Sequence, residues 1–530
     1  MYVVQATYIK KVKQYLEESV KTPAEIIKII SYSREIFTIT SQNLDPVAPL
    51  LKSLYRNKSG GRPCREPLSM LRSLLLMTLL NEASITEWVT QLKRQKILCI
   101  LSGFTPGNPP GVATFYSFLD RLQDGPYEKP CKHVYKLSKL DKKRHRRNLK
   151  EEKKKPEENF SGKDTVTGRL SKELISREKE KRQEDLQKRL EDIFIFLAII
   201  PSARAGLLGD LSRLDIVGDG SCLPSGANRY GKATCKCFKE GIKKCDCDRL
   251  YTDPDADWGW DSYHEEYYFG DRLYQYCYTS GGHNLPLIVT CGPASESDYT
   301  LSLKTFDRMI KTFIEHNFNV KITGVGLDKG HDAIGIYQYF LQKSIPAAIP
   351  LNNRGKTNPY EEEMKMSKNG KPVCKGGLEM RYHCYDKKKM RHCYNCPVKR
   401  PTRTDGNYHF VAHVDECPNK ALCNPESTMG PIVYISSKDN PRLYPQITRG
   451  SDRYKEFFDD RTGTERSNSF KKITYPLDRA RCKSRAHRLI RLFLISIIEH
   501  RKVLTRIQTK DFSKYMILNK AMENMVITDS

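Results

Sequence analysis

This 530-residue chain has no apolar run long enough to span a bilayer. Its most apolar stretches, around 193–200 and 492–498, fall far short of the ~20 residues required. The start, Met1-Tyr-Val-Val-Gln-Ala-Thr-Tyr8, lacks the charged-then-apolar layout of a signal peptide. Acidic residues are in short supply: 63 Asp and Glu face 90 Lys and Arg, a formal charge of +27. That excess favours a polyanionic partner, with nucleic acid the default and a solvated basic surface or an anionic membrane the alternatives. The expectation is a soluble, cytoplasmic protein with no membrane partner. In such a compartment the 17 cysteines suggest thiols or metal ligands rather than a disulfide framework.

The length allows several domains. Residues 1–125 read as a helical DNA-binding domain, with an apolar helix over 67–80 and a second opening at a Ser84-x-x-Glu87 capping box. A third helix begins after the turn-rich 103–111 segment. Such short helices suit a helix-turn-helix reader, though a plain bundle explains them nearly as well. Residues 126–205 read as a basic linker, which includes the solvated run 141–155, followed by a charged helix over about 171–200. From 206 to 352 strands alternate with helices. Strands are expected at 215–219, 272–278, 285–290, a run ending at Asp328, and 346–350, with helices over 298–316 and 333–342. A three-strand meander followed by β/α units specifies an α/β fold, a mixed sheet with helices on both faces. Residues 353–450 read as a β-rich, cysteine-containing insertion, 451–510 as the returning core, and 511–530 as a tail.

Three acidic residues stand in special contexts. Asp219 and Asp328 close β-branched runs, and a carboxylate at a strand end can point into an open cleft. Glu465 lies in a helical pattern, Phe458-x2-Arg461-x3-Glu465-x6-Lys472. At ~100° per residue these four positions share an arc of about 60°, so one face would carry a ring, a guanidinium, a carboxylate and an ammonium. Gly463 is unhelpful to a helix, which favours a special backbone role there. A plain solvated helix with an Arg461–Glu465 pair is the alternative. Three such carboxylates could hold a pair of divalent cations for in-line attack on a phosphodiester.

The spacing resembles the tyrosine-x2-arginine-x3-glutamate-x6-lysine signature of DDE transposases from prokaryotic insertion sequences, with Phe458 in the tyrosine place. The block Gly326-Leu-Asp328-Lys-Gly-His331-Asp332, followed by 345–354, is similar to the family's second-aspartate block, with His331 where an aromatic is usual. Tyr268-Phe-Gly-Asp-Arg272, 292–298 and Gly61-Arg-Pro63 resemble further blocks. The resemblance implies a ribonuclease H-like core whose Asp219, Asp328 and Glu465 bind two Mg²⁺ (or Mn²⁺). It also implies cutting of transposon ends and their joining to target DNA. Arg461, Lys472, Phe458 and Arg272 would contact DNA, and a homodimer would assemble on the terminal inverted repeats, nucleoid-associated in a prokaryote. Family members that open ends through a hairpin use an aromatic wedge in the insertion; none of the 3 tryptophans lies in 353–450.

Cys235-Lys-Cys237-x7-Cys245-Asp-Cys247 sets four thiols around Gly241, which suits a tetrahedral structural Zn²⁺ or, alternatively, plain thiols in a polar loop. Cys393-x2-Cys396 with Cys417 and Cys423, near Cys374 and Cys384, offers a second possible zinc site. Trp258 and Trp260 could stack on bases or simply pack. Asp253, Asp255, Asp257 and Asp261 do not have the spacing of an EF-hand. Two other readings stay open: a structure-selective nuclease without strand transfer, and a non-catalytic zinc and DNA-binding regulator.

Overall fold

The computed structural model describes residues 4–19, 21–55, 64–125, 135–137, 165–242, 245, 247, 249–354, 360, 366–367, 370–404, 407–412, 417, 423, 430–449, 451–479 and 482–508. The basic run 141–155, the segment 61–63 and the tail 511–530 lie outside the described residues.

A six-stranded mixed sheet forms the centre. Its strands are β1 (Leu214–Pro224), β2 (Asp257–Asp261), β3 (Glu266–Tyr278), β4 (Leu285–Pro293), β5 (Ile322–Gly326) and β6 (Ala347–Ala348). β3 pairs antiparallel with β1, β2 and β4, while β1–β5 and β5–β6 are parallel. The expected meander and the α/β mixed sheet are therefore present. β2 escapes the sequence pattern because Asp257, Gly259 and Asp261, types depleted in strands, interrupt its two tryptophans. It is held by pairing 257–261 against 266–270 of β3.

Helices Asp298–Glu315 and Ile334–Gln342 follow the expected positions. The charged helix expected over 171–200 is broken into Val166–Ser176 and Leu186–Phe194. Asp185 ends the gap by capping the second piece, its Oδ1 accepting from the Lys188 amide at 2.7 Å. Within the gap Arg182 is buried against Glu191 at 2.7 Å, Asp192 at 2.6 Å and Glu315 at 3.0 Å. A charge so placed needs these partners to be tolerated.

The amino-terminal helices include Pro67–Leu79, Ile85–Arg94 and Val112–Asp124. Ser84 caps the middle one through the Glu87 amide at 3.3 Å. The reciprocal half of the expected box goes elsewhere, because the Ser84 amide donates to Glu82 Oε1 at 2.8 Å. The long helix Arg485–Gln508 lies between these helices and the sheet, and their buried residues form one continuous apolar cluster running from Tyr8 to Leu504. His500 anchors it, with Nδ1 at 2.7 Å from Ser202 Oγ and Nε2 at 2.8 Å from the Pro286 carbonyl.

In the 353–450 region the described strands Arg381–Asp386, Arg391–Asn395 and Val433–Ser436 form one antiparallel sheet, and Lys399–Thr404 pairs with Asn407–Ala412. Among the described residues no helix is long and apolar enough to cross a membrane.

Candidate functional site

The register of two parallel strands brings the aspartates together. Val217 of β1 pairs with Gly326 of β5, the last pair of that ladder. Asp219 and Asp328 each lie two residues further on and so at the same level; Asp328 follows the end of β5 as expected, whereas Asp219 does not close its strand, because β1 runs on to Pro224 along β3. Burial pushes the Asp219 carboxyl up to about 7, and the charge of Asp328 adds to the shift. Burial also acts on Asp328, but the hydrogen bond and charge of His331 outweigh it and hold that carboxyl below its usual range. His331 ends a 3-10 turn, Lys329–His331, directly after Asp328. Its Nδ1 bonds Asp328 Oδ1, and its Nε2 lies 2.9 Å from the Tyr274 hydroxyl of β3. Burial alone would lower the His331 pKa, yet the carboxylates of Asp328, Asp298 and Asp219 raise it.

Asp298 is an acidic neighbour that the sequence reading placed at a helix start and at the end of the 292–298 block, without a role in the site. It is the first residue of its helix, and one oxygen, Oδ2, accepts from Arg272 Nη1 at 2.8 Å. The other, Oδ1, is buried with no hydrogen-bond partner and lies against Gly220, where a Cβ would come within 2.1 Å of it. Burial raises the Asp298 pKa. Arg272, expected to meet DNA, is thus engaged with Asp298 and, through Nη2, with the Trp260 carbonyl at 2.9 Å.

The helix Asp452–Ser469 crosses this end of the sheet, capped by Ser451 through the Tyr454 amide at 3.2 Å. Phe457 is its buried anchor and fills the notch left by Gly324 of β5, whereas Phe458 is 51% exposed. Gly463 has the expected backbone role: a Cβ there would meet Thr279 at 2.4 Å and Asn284 at 2.5 Å. Five residues further along the helix, Asn468 Nδ2 donates to Asp219 Oδ2 at 3.1 Å, and Gln275 Nε2 donates to Asn468 Oδ1 at 2.8 Å. Gln275 is the residue of β3 opposite Asp219. Neither polar residue stands out in the sequence; only the strand register reveals them.

Glu465 sits on this helix between Arg461 and Asn468. Its side chain is half exposed and pairs with Arg461 Nη1 at 3.0 Å. The positive charge of Arg461 acts on both Asp219 and Asp328, and its guanidinium carbon lies 5.7 Å from the Phe458 ring centre. The expected stripe holds through Glu465 and fails before Lys472. Residues Phe470–Thr474 form a π turn, which breaks the 100° count, and Lys472 is half-buried with its charge bearing on Cys222. The buried lysine is Lys471. Its Nζ donates to Ser467 Oγ at 2.6 Å and to Glu499 Oε2 of the 485–508 helix at 2.7 Å.

One group of three or more Cys, His, Asp or Glu side chains is gathered within metal-ligating distance among the described residues: Cys235, Cys237, Cys245 and Cys247, with ligand atoms all within 4.8 Å. Cys235 and Cys245 lie 3.6 Å apart, as do Cys237 and Cys247. Gly241 makes the turn between the pairs at φ +80°. The Cys237 amide pulls the Cys235 thiol down to about 7, while neighbouring Cys247 and Cys235 push Cys237 up to about 12. This set could bind a metal such as zinc. Cys393, Cys396, Cys417 and Cys423 form no second such group among the described residues. Strand pairing instead sets Cys393 opposite Cys384. Asp219, Asp328 and Glu465 are likewise not drawn into a set that close. Asp253 is committed to Arg488 at 2.6 Å. Trp258 packs on Phe269 at 5.8 Å, and Trp260 is 45% exposed beside Tyr267.

Compared with known proteins, the chain matches no family model, and a search of curated proteins found no match.

Proposed function

We propose that this chain is a DNA transposase of the DDE type, which cuts transposon ends and joins them to target DNA, built on a ribonuclease H-like core. The observation that carries the reading is the adjacency of Asp219 and Asp328 at one end of a parallel strand pair, beneath the helix that bears Glu465. The strand order, with antiparallel partners on one side of β1 and parallel partners on the other, is compatible with that core.

The donors fit Mg²⁺ or Mn²⁺. They are hard carboxylate oxygens, Asp219 is raised by burial with the charge of Asp328 adding to it, and a buried Asp298 oxygen stands unpaired nearby. Asp219, Asp328 and Glu465 would hold two such ions. When bound, these supply Lewis-acid activation of water, and then of a 3′-hydroxyl, against a phosphodiester. Asn468 fixes the rotamer of Asp219, and His331, steadied by Tyr274, fixes that of Asp328. In this role Glu465 gives up Arg461, freeing a guanidinium beside both aspartates for a DNA phosphate. Duplex DNA is the partner, and a homodimer on paired ends is the working assembly. A regulator that binds without cutting is the second reading, favoured by the engaged state of Glu465.

Purified protein incubated with the DNA flanking its own gene and Mg²⁺ or Mn²⁺ is the test. Nicks at defined ends, followed by joined products, are expected. Binding without any nick would leave the regulator reading, and nicks without joining would leave a nuclease.

A further inference from the structure

Between β1 and β2 the chain leaves the sheet for an excursion whose tip is the four-cysteine loop. Its feet are tied down. Arg488 of the long helix donates to Ser225 Oγ at 2.9 Å and pairs with Asp253 at 2.6 Å. Ser225 and Asp253 themselves share a hydrogen bond of 2.7 Å. Further out, strand Lys232–Ala233 pairs with Arg249–Tyr251, which pairs in turn with Tyr135–Leu137 from the start of the basic linker. The loop is therefore anchored at its base by buried charge and, with metal bound, clamped at its tip.

The surface of this loop does not match its rigidity. Phe238, inside the cysteine set, is 80% exposed, and Ile242 is 48% exposed. Lys236 and Lys239 flank Phe238 and are exposed as well. From Arg229 to Arg249 the sequence holds seven Lys or Arg against three Asp or Glu. An exposed aromatic tip between cations, on a loop that contributes nothing to the apolar core, fits a groove edge lined by phosphates. A solvated basic loop would explain the lysines but not the ring held out among them.

We infer that the four-cysteine loop is a rigid contact for duplex DNA, with Lys236 and Lys239 on phosphates and Phe238 against the groove. The inference rests on the proposed function and extends it to a second DNA surface. β1 runs from Asp219 towards this loop, and five residues separate Asp219 from Pro224. That is about 17 Å of strand, so the loop meets DNA roughly five or more base pairs from the cut at ~3.4 Å per pair. An acidic protein surface would satisfy the lysines equally well and is an outcome of the test.

The experiment uses full-length, zinc-loaded protein and a fluorescent duplex carrying the gene's flanking sequence, titrated by anisotropy from 50 to 200 mM salt. Lys236→Gln/Lys239→Gln should lower the salt slope by about 2 and weaken binding on the order of 60-fold near 0.1 M salt, as two lost phosphate contacts predict. Phe238→Ala should weaken binding and leave the slope unchanged. Zinc content and melting temperature at wild-type values confirm that the loop is folded in both variants. Wild-type affinity and slope in both folded variants would overturn the inference while the proposed function stands, and would leave an acidic protein as the loop's partner. If the wild-type protein itself shows no salt-dependent binding to the duplex, the proposed function fails and takes this inference with it.

Discussion

Replacing Lys471 with Met should destabilise the protein far more than replacing Lys471 and Glu499 together. Both side chains are buried, 0% and 7% exposed, with their charged atoms 2.7 Å apart. Lys471→Met strands a carboxylate in the core and deprives Ser467 of its donor, a loss of about 3–5 kcal/mol. Lys471→Met/Glu499→Leu removes both charges and replaces them with apolar volume, so it should lie within about 1 kcal/mol of wild type or above it. At roughly 2–4 °C per kcal/mol for a cooperative unit of 150–250 residues, the single variant should melt about 6–20 °C lower. The pH dependence has a definite sign. Burial already raises the Glu499 pKa, with Lys471 opposing, and losing Lys471 raises it further. The folded variant then holds a proton that the unfolded chain releases, so its stability falls as pH rises and its deficit is smallest in acid. Thermal unfolding of the four proteins at two pH values is the assay. A single variant within about 1 kcal/mol of wild type, or a double variant as unstable as the sum of the singles, would refute the buried pair.

Asp219→Asn, Asp328→Asn and Glu465→Gln should each cut DNA cleavage at least a hundredfold, about 3 kcal/mol. End binding, measured by gel shift, should survive because it is spread over many basic residues; near wild-type nicking by any one variant removes that residue from the site. Asn468→Ala should lower cleavage 10–100-fold with end binding unchanged, the usual cost of losing a group that orients a ligating carboxylate. Asn468→Asp should be worse, since it adds a negative charge 3.1 Å from Asp219. Elemental analysis should find one zinc per chain rather than two, and chelation should lower the melting temperature more than it affects residual cleavage, because metal binding at such a site is folding free energy; protein with no zinc would dismiss the claim.

Strands β1, β3, β4 and β5 were readable from short runs rich in β-branched and aromatic residues, and the four-cysteine loop because its spacing is local. What the sequence hid depends on register or on backbone irregularity. Asn468 and Gln275 matter because Gln275 pairs opposite Asp219 and bonds Asn468, a residue 193 positions away in sequence. Lys471 and Lys472 exchange environments because a π turn begins at Phe470, and no 3.6-residue count anticipates an inserted residue. Asp298 ends the 292–298 block and starts a helix, but its place beside Asp219 depends on Gly220, which lets its carboxylate approach the sheet. Cys393 and Cys396 have zinc-like spacing, yet Cys393 lies in a strand opposite Cys384 while Cys396 lies beyond that strand's end.

The three carboxylates are not held in the same way. Asp219 and Asp328 are fixed by the β1–β5 register, which cannot slip without reversing every buried residue of β1. Glu465 is fixed only as well as its helix is, by Phe457 in the Gly324 notch, by Gly463 against Thr279, and by Lys471 pinned to Glu499. Disturbing any of these shifts Glu465 relative to two immobile aspartates. The helix contacts should therefore produce graded losses of activity, and the aspartates all-or-none losses. In the Arg461–Glu465 pair Glu465 is half exposed while Arg461 is largely buried, so Glu465 is the partner that can exchange the contact at low cost, a solvent-facing ion pair being weak.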